Sequence, residues 1–214
     1  MKFSIEELRP IRNGMTISRD SRLGNSTKVT YFSMGKDTSI SQESYDRMTM
    51  YIGASGWGEF IIGEEPEIIK LQPDVLLIVP AGTLCGMQTS NGIVYTEIIC
   101  TGKDINMNAN VKTNEVFALK NLISYEEGSI ANMDVVSTPN MKYVLMAFDE
   151  GTGLTPHRAP GNAIVFALEG KATIGYEGKN YELSEGECFR FEKNGLHSVT
   201  ANGKFKMALL LVLE

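Results

Sequence analysis

An internal repeat constrains the fold of this chain more than any other feature of its sequence. At a constant spacing of 114 residues, five residues of the first half recur in the second, in the pairs Phe3/Phe117, Leu8/Leu122, Gly14/Gly128, Asp20/Asp134 and Lys28/Lys142. A second block repeats at a spacing of 112, from Leu71–Cys85 to Leu183–His197. Five matches alone could arise by chance, but two blocks in the same order favour duplication. We therefore predict two similar domains.

Each half consists mostly of short strand-like runs. Apolar stretches such as Lys28–Met34, Val75–Val79 and Cys188–Phe191 are separated by pairs of turn residues that include Glu169-Gly170, Glu177-Gly178 and Asn202-Gly203. Strand runs joined by glycine-bearing turns predict hairpins, and many short strands predict a sandwich, barrel or jelly roll. Only two short helical turns are expected, near Ile5–Leu8 and Leu119–Ser124.

The boundary between the halves is predicted in a polar stretch over 103–114. This stretch lacks apolar periodicity and is rich in asparagine, which favours turns. The predicted organisation is therefore an N-terminal barrel over 1–102, a linker over 103–114 and a C-terminal barrel over 115–214.

Charge and composition exclude several classes of protein. The net charge of −6 argues against nucleic-acid binding, which needs a basic surface stripe. The longest apolar runs, such as Ala208–Leu213, are too short to cross a bilayer, and the first residues carry acids where a signal peptide needs an apolar run. Three cysteines are an odd number and widely spaced, which predicts no disulfide framework and a reducing, cytoplasmic location.

The chain contains only two histidines, both in the second half. Imidazole is the commonest metal ligand at neutral pH, so the spacing of the residues around each histidine bears on a possible metal site. The sequence around the first histidine reads Gly151-x5-His157-x-Ala159-x3-Ala163-x6-Gly170. The sequence around the second reads Gly186-x5-Glu192-x-Asn194-x2-His197. In spacing and glycine positions these resemble the two motifs of the cupin superfamily. The stretch from His157 to Ala163 is closer still to small single-domain cupins that read His-x-Ala-Pro-x-Asp-Ala, with Asn162 in place of the acid.

The resemblance implies an all-β fold of two tandem cupin barrels, each a double-stranded β-helix or jelly roll. It also implies a metal site of three imidazoles and one carboxylate, in which Ala159 and Ala163 would occupy two ligand positions. Methyl groups cannot coordinate a metal, so at most a weak divalent site remains at His157 and His197, with Zn, Ni, Fe or Mn as candidates. The oxygens of Asn162 or Glu192 are optional further ligands. The alternative is that the two rings simply bond to one another or to water.

The missing ligands also suggest an enlarged apolar pocket. Ala163, Val165 and Ala167 share one parity on a predicted strand, and Ala159 and Asn162 lie beside them. An apolar interior with two polar groups is typical of a small-molecule site. We therefore predict that these five residues line a pocket.

The N-terminal half lacks histidine altogether. The repeat places Cys85 at the position of His197, and the segment matching His157 falls near Ser41 and Gln42. A buried, inert thiol is the favoured interpretation of Cys85 over a reactive one, since free cysteine usually behaves as a small hydrophobe. We expect no metal in this barrel and regard it as an inactive copy.

Three functions remain open. The first is a small-molecule-binding protein of uncertain activity, with or without a weakly held metal. The second is an enzyme that uses the C-terminal barrel, either a metal-dependent dioxygenase or a sugar isomerase or epimerase. The third is a structural or regulatory module. The two barrels are expected to form a pseudo-dimer within one chain, and further pairing into a homodimer is left open.

Overall fold

The structure is a computed structural model that describes residues 1–24, 27–102 and 104–213. It is nearly all β, as predicted. Within the described residues the strands are β1 Lys2–Phe3, β2 Thr16–Asp20, β3 Lys28–Met34, β4 Thr38–Ser44, β5 Thr49–Gly56, β6 Gly58–Ile62, β7 Glu67–Leu71, β8 Val75–Val79, β9 Leu84–Thr89, β10 Ile93–Ile99, β11 Asn106–Met107, β12 Val116–Ala118, β13 Ile130–Thr138, β14 Met141–Phe148, β15 Gly153–Arg158, β16 Asn162–Tyr176, β17 Lys179–Ser184, β18 Cys188–Phe191 and β19 Leu196–Val212.

Within residues 1–24, 27–102 and 104–213, helix is confined to the two short turns expected from the sequence. Helix α1 spans Ile5–Leu8, and a single 3-10 turn spans Leu119–Asn121. Neither these nor any other helix in the described part of the chain has the length and apolar character needed to cross a membrane.

The chain divides into two compact units that do not follow the sequence halves strictly. The N-terminal unit comprises Ile5–Thr101 and Ala109–Ala118. The C-terminal unit comprises Met1–Ser4, Gly102–Asn108 and Leu119–Glu214. The predicted linker over 103–114 is therefore shared between the units, apart from Lys103, which lies outside the described residues. Each unit takes one edge strand from the other sequence half, which spacing arguments do not reveal.

The C-terminal unit forms one nine-stranded sheet with the path β1-β18-β16-β19-β14-β13-β11. Strand β15 pairs with β19, and β17 pairs with β16, off this path. The long strands β16 and β19 run antiparallel along most of their length, with register shifts near Glu169 and Lys171. These shifts correct two predicted turns, because Glu169-Gly170 and Asn202-Gly203 lie inside strands as bulges rather than between strands. A bulge and a turn both favour a glycine at positive φ, and the sequence does not separate them.

The N-terminal unit has the same strand order in two separate sheets. One sheet has the order β12-β8-β5-β10-β3-β2, and the other has the order β4-β9-β6-β7. Here the counterparts of β16 and β19 are each broken in two, as β5 with β6 and β9 with β10. The edge strands β1 and β12 are equivalent, since Phe3 faces Cys188 and Phe117 faces Leu76 in the same pairing. Duplication itself remains a prediction from the sequence.

Alternation of side chains explains where each core lies. Strand β14 has apolar side chains on both faces: residues 141, 143, 145 and 147 are buried on one face, and Met146 and Phe148 on the other face pack into the C-terminal core. The C-terminal core centres on the rings of Phe148, Phe189, Phe191 and Phe205. The N-terminal core contains Tyr51, Phe60 and Tyr95 among aliphatic side chains. The inner faces of the two units therefore differ in polarity.

Candidate functional site

The two histidines meet on neighbouring strands of the C-terminal unit. His157 on β15 lies directly opposite His197 on β19, just after a register shift that follows Leu154. Residues opposite each other in an antiparallel pair share one face of the sheet. The ring centroids are accordingly 4.3 Å apart, with an angle of 53° between the rings.

Backbone carbonyls orient both rings. Nδ1 of His157 lies 2.8 Å from the carbonyl oxygen of Thr155, and Nδ1 of His197 lies 2.9 Å from that of Gly195. A carbonyl can only accept a hydrogen bond, so each Nδ1 carries the hydrogen, and each neutral ring keeps a lone pair on Nε2. Metal-binding histidines are commonly oriented in this way.

The two rings differ in their exposure. His157 is exposed, whereas His197 is only 8% exposed and stacks on Phe191 with a centroid distance of 4.2 Å. Burial lowers the pKa of His197, and the neighbouring His157 lowers it further, while the hydrogen bond to Gly195 acts in the opposite direction. His197 is therefore a neutral imidazole at physiological pH, as coordination or proton abstraction requires.

Tyr176 extends the row of side chains to a third strand. It ends β16 directly opposite His197 and packs edge-on against Phe189 and Phe191. The hydroxyl oxygen of Tyr176 accepts a hydrogen bond of 3.4 Å from the backbone nitrogen of Glu192. Sequence reasoning did not identify Tyr176, although the Glu177-Gly178 turn that places it at a strand end was recognised.

Two charged side chains, Glu177 and Arg158, form a rim beside the row of His157, His197 and Tyr176. Oε1 of Glu177 accepts a hydrogen bond of 2.6 Å from the backbone nitrogen of Leu196, one residue before His197. The same oxygen lies 3.9 Å from the guanidinium of Arg158, which also donates to the carbonyl of Asn194. Both charged side chains are more than half exposed, so the ion pair mainly orients the rim and contributes little stability.

A cavity of about 240 Å³ opens beside His197. It lies between the β16–β17 turn and the start of β19, and its walls include Pro156, Tyr176, Asn180, His197 and Ser198. Its size is below the roughly 300–1,000 Å³ of pockets for drug-sized ligands. The cavity therefore fits a ligand of small-metabolite size.

The residues predicted to line a pocket lie elsewhere. Ala163, Val165 and Ala167 share one face as predicted, but that face is packed into the hydrophobic core. Aromatic rings such as Phe191, which lies opposite Ala163, fill the space where the pocket was predicted. The side-chain oxygen of Asn162 accepts a hydrogen bond from the backbone nitrogen of Lys193, and the carbonyl of Ala159 accepts one from Asn194.

The donor set falls short of a complete metal centre. Over residues 1–24, 27–102 and 104–213, three or more His, Cys, Asp or Glu side chains nowhere converge as metal ligands. Glu192, considered as a further ligand, has its carboxylate 2.9 Å from Arg190 instead. The two imidazoles therefore do not amount to the tightly bound metal centre of a full cupin motif.

In the N-terminal unit, Cys85 is paired as His197 is paired in the other. Cys85 lies opposite Glu43 across β4 and β9, after a register shift that follows Ile40. The equivalent of His157 is therefore Glu43, which corrects the predicted position near Ser41 and Gln42, because the matching bulge moves the register. Burial raises the pKa of the Cys85 thiol to about 11, partly offset by a hydrogen bond with Tyr51. Such a thiol is protonated at neutral pH and unreactive.

Comparisons with known proteins agree with this geometry. Residues 144–213 match the model of the cupin domain family. The structure resembles that of a cupin 2 conserved barrel domain protein from Leptotrichia buccalis, with a TM-score of 0.87 and 25% identity, over 99% of this chain and 96% of that one. No curated protein matches the chain significantly.

More distant structures share the fold alone. Salicylate 1,2-dioxygenase from Pseudoaminobacter salicylatoxidans, solved with gentisate, superimposes with a TM-score of 0.68 at 11% identity, over 96% of this chain and 76% of that one. Oxalate decarboxylase from Bacillus subtilis gives 0.59 at 12% identity, over 100% and 76%. Together the matches support the cupin superfamily, and the chain has the predicted all-β cupin barrel fold. They leave its activity uncertain.

Proposed function

We propose that the protein binds a small molecule in the C-terminal barrel, in the cavity beside His197, with a weakly held divalent ion as an accessory. The observation that carries this proposal is the orientation of the two rings. Both Nδ1 atoms are bonded to backbone carbonyls, so two Nε2 lone pairs are available on adjacent strands, and His197 also lines the cavity. The rings of Tyr176 and His197 line the cavity together with polar side chains such as Asn180 and Ser198, a mixture that suits a small ligand.

His157 and His197 would hold the ion, which when bound would polarise an oxygen of the ligand as a Lewis acid. Two protein ligands leave most of the coordination sphere to water, so the ion would exchange readily. The low pKa of His197 helps, because a metal competes with protons for the ring. His157 is exposed and would provide the accessible side of the site.

A second candidate function is proton transfer by an enzyme of the isomerase or epimerase type. The juxtaposition of His197 and Tyr176 favours it, because a neutral imidazole lies opposite a phenol beside the same cavity. A histidine base and a phenolic acid are suited to removing and returning a proton at carbon. A dioxygenase is less well supported, since an iron site needs about three protein ligands.

The remaining expectations of the sequence stay as proposals. The three cysteines are not joined by disulfides, which supports a reducing, cytoplasmic location. The equal strand order of the two units supports a duplicated bicupin that forms a pseudo-dimer within one chain, and we leave pairing into a homodimer open. The net charge of −6 supports a partner other than nucleic acid.

Metal binding is tested by titrating the untagged protein with Zn²⁺ or Ni²⁺, with isothermal calorimetry as the readout. We expect one weak site per chain, lost in His157→Ala and in His197→Ala and retained in Cys85→Ser. Elemental analysis after dialysis against a chelator should find the ion removed. Equal stoichiometry in the wild type and both histidine variants would place the ion elsewhere and refute the metal part of the proposal.

Ligand binding is tested by thermal-shift screening with sugars, phosphosugars and small acids. A true ligand should stabilise the wild type, and His197→Gln should reduce that shift. Incubation of any such ligand in D₂O distinguishes the two candidate functions. Deuterium incorporated at carbon by the wild type but not by His197→Gln would identify an enzyme, and binding without exchange would identify a binding protein. A screen in which no compound stabilises the wild type would count against both.

A further inference from the structure

The N-terminal unit, which lacks histidine, contains a cavity with both apolar and polar walls. The cavity measures about 220 Å³ and is walled by aromatic rings, among them Tyr45, Tyr51, Phe60 and Tyr95. Tyr51 and Phe60 lie 4.6 Å apart between centroids, and Tyr51 and Tyr95 lie 6.1 Å apart. The rings therefore form a continuous π-faced wall rather than isolated contacts.

A carboxyl group is buried in this wall. Glu97 on β10 is only 5% exposed and lines the cavity, together with the more exposed Glu43. Burial raises the pKa of Glu97, opposed by Lys28 and by a hydrogen bond with Tyr45. Among the described residues that wall the cavity none is cationic, and Lys28 lies exposed at the end of β3. A buried carboxyl group without a lysine or arginine partner in its own cavity is costly unless something else compensates for it.

A hydroxyl group is also buried beside Glu97. Thr30 on β3 lies directly opposite Glu97, so both side chains share the inner face. Its Oγ1 is buried and has no hydrogen-bond partner among the described residues. Thr30 does not itself wall the cavity, so its hydroxyl adds a second buried polar group beside Glu97 but does not by itself indicate a ligand.

The other barrel shows that these polar groups are not required by the fold. The positions that correspond to Thr30, Tyr51 and Glu97 by strand pairing are Val144, Val165 and Leu209. Leu209 faces both Val144 and Val165, as Glu97 faces both Thr30 and Tyr51, and an aliphatic set fills the same places. The same scaffold therefore tolerates an apolar interior here, so the carboxyl group is specific to the N-terminal barrel.

We propose that the N-terminal cavity binds a small organic ammonium compound, with Glu97 as the counter-charge and the tyrosine rings as the wall around the cation. An ammonium group over aromatic faces gains cation–π attraction, and it also neutralises a carboxylate that burial disfavours. An anionic ligand would be repelled by both carboxylates. This site is separate from the proposed ligand site beside His197.

The test compares choline with its neutral carbon isostere, 3,3-dimethylbutan-1-ol, using the full-length protein and ligand-observed NMR titration. n-Butylammonium and butan-1-ol form a second matched pair. We expect the wild type to bind at least one ammonium compound about tenfold or more tightly than its neutral partner. Glu97→Gln keeps the shape of the side chain and should abolish that preference, whereas Glu97→Asp should retain part of it.

His157→Ala is the control, because it alters only the C-terminal unit, and it should leave the preference unchanged. Loss of the preference in His157→Ala would assign the cation to the other site and overturn the proposal. Equal affinity for charged and neutral partners in the wild type, or no binding of either ammonium compound, would also overturn it. The wild-type comparison does not depend on whether a variant folds, and melting followed by circular dichroism establishes folding for each variant.

Discussion

The ring of Phe191 should control the site through His197, and Phe191→Leu tests this most directly. Phe191 is 1% exposed, and its centroid lies 4.2 Å from His197, 5.0 Å from Phe189 and 5.5 Å from Tyr176. Each aromatic pair contributes about 0.5–1.5 kcal/mol beyond burial. The three pairs share one ring and leucine refills part of the volume, so we expect a loss of about 2 kcal/mol in the free energy of unfolding.

A matched variant in the same core separates stability from function. Phe148 is fully buried and contacts Phe205 at 5.8 Å, so Phe148→Leu should cost about 1 kcal/mol. Unfolding in urea measures both losses, and competition with a chelating dye measures the affinity for Zn²⁺. We expect Phe191→Leu to weaken Zn²⁺ binding about tenfold, as loss of an orienting neighbour does, and Phe148→Leu to leave it unchanged. Equal effects of the two variants on Zn²⁺ would refute the reasoning.

Three further outcomes follow from the structure. Burial lowers the pKa of His197 below 6.5, so the unfolded chain binds the proton first as the pH falls. The free energy of unfolding should therefore decrease as the pH drops below about 6.5. Urea unfolding from pH 7.5 to 5.5 measures this pH dependence, which His197→Gln should lose. The pKa of Glu97 is raised above 4.5, so the unfolded chain loses its proton first and stability falls as the pH rises past that value. Glu97→Gln should therefore be more stable than the wild type at pH 7 but not at pH 4. The reverse order would contradict a burial penalty. Gly161→Ala should lower the melting temperature, because its Cβ would lie 1.9 Å from the backbone oxygen of Val212, and an unchanged melt would show that this strand end moves freely.

The sequence predicted the apolar strands well and the exposed ones poorly. Strands β3, β8 and β18 have the predicted bounds, because each is a short run of mostly apolar residues between turn residues. Strands β2 and β4 were missed, since most of their residues are exposed and polar and show no alternation. Edge strands of this kind are fixed by pairing with a neighbour rather than by their own sequence.

The two candidate site residues that sequence reasoning did not identify, Tyr176 and Glu97, were missed for different reasons. Tyr176 lies opposite His197 only because β16 and β19 contain two register shifts, and the number of residues in a bulge cannot be counted from sequence. Glu97 did leave a signal, as the one acid in the buried run Ile93–Ile99. A charged residue inside an apolar strand is itself a sign of a candidate functional site.

The two barrels also show how one scaffold can exchange polar groups between positions. In the C-terminal unit the polar row of His157, His197 and Tyr176 lies at the strand ends, above a core of phenylalanine rings. In the N-terminal unit the polar groups lie deeper, where Glu97 and Tyr51 replace aliphatic residues. A cupin barrel therefore allows polar groups either at the strand ends or deeper in the barrel. Motif spacing alone identifies only those at the strand ends.

Rebuilding the absent ligands would test how the present core excludes a full metal centre. Ala159 follows β15 and is only partly buried, so Ala159→His adds an imidazole without disturbing the core and should tighten Zn²⁺ binding about tenfold or more. Ala163 is 1% exposed and faces Phe191, so Ala163→Glu places a carboxylate against a ring. We expect a loss of about 3 kcal/mol or more in stability and no gain in Zn²⁺ affinity.

Ala163→Leu separates the cost of charge from the cost of volume at the same position. Overpacking alone should cost about 1–3 kcal/mol, independent of pH. The extra loss in Ala163→Glu should shrink as the pH falls, because protonation removes the buried charge. Urea unfolding of both variants at pH 5 and pH 8 measures the difference. If Ala163→Glu instead folded normally and bound Zn²⁺ more tightly than Ala159→His, the phenylalanine core would not be what limits this barrel to two ligands.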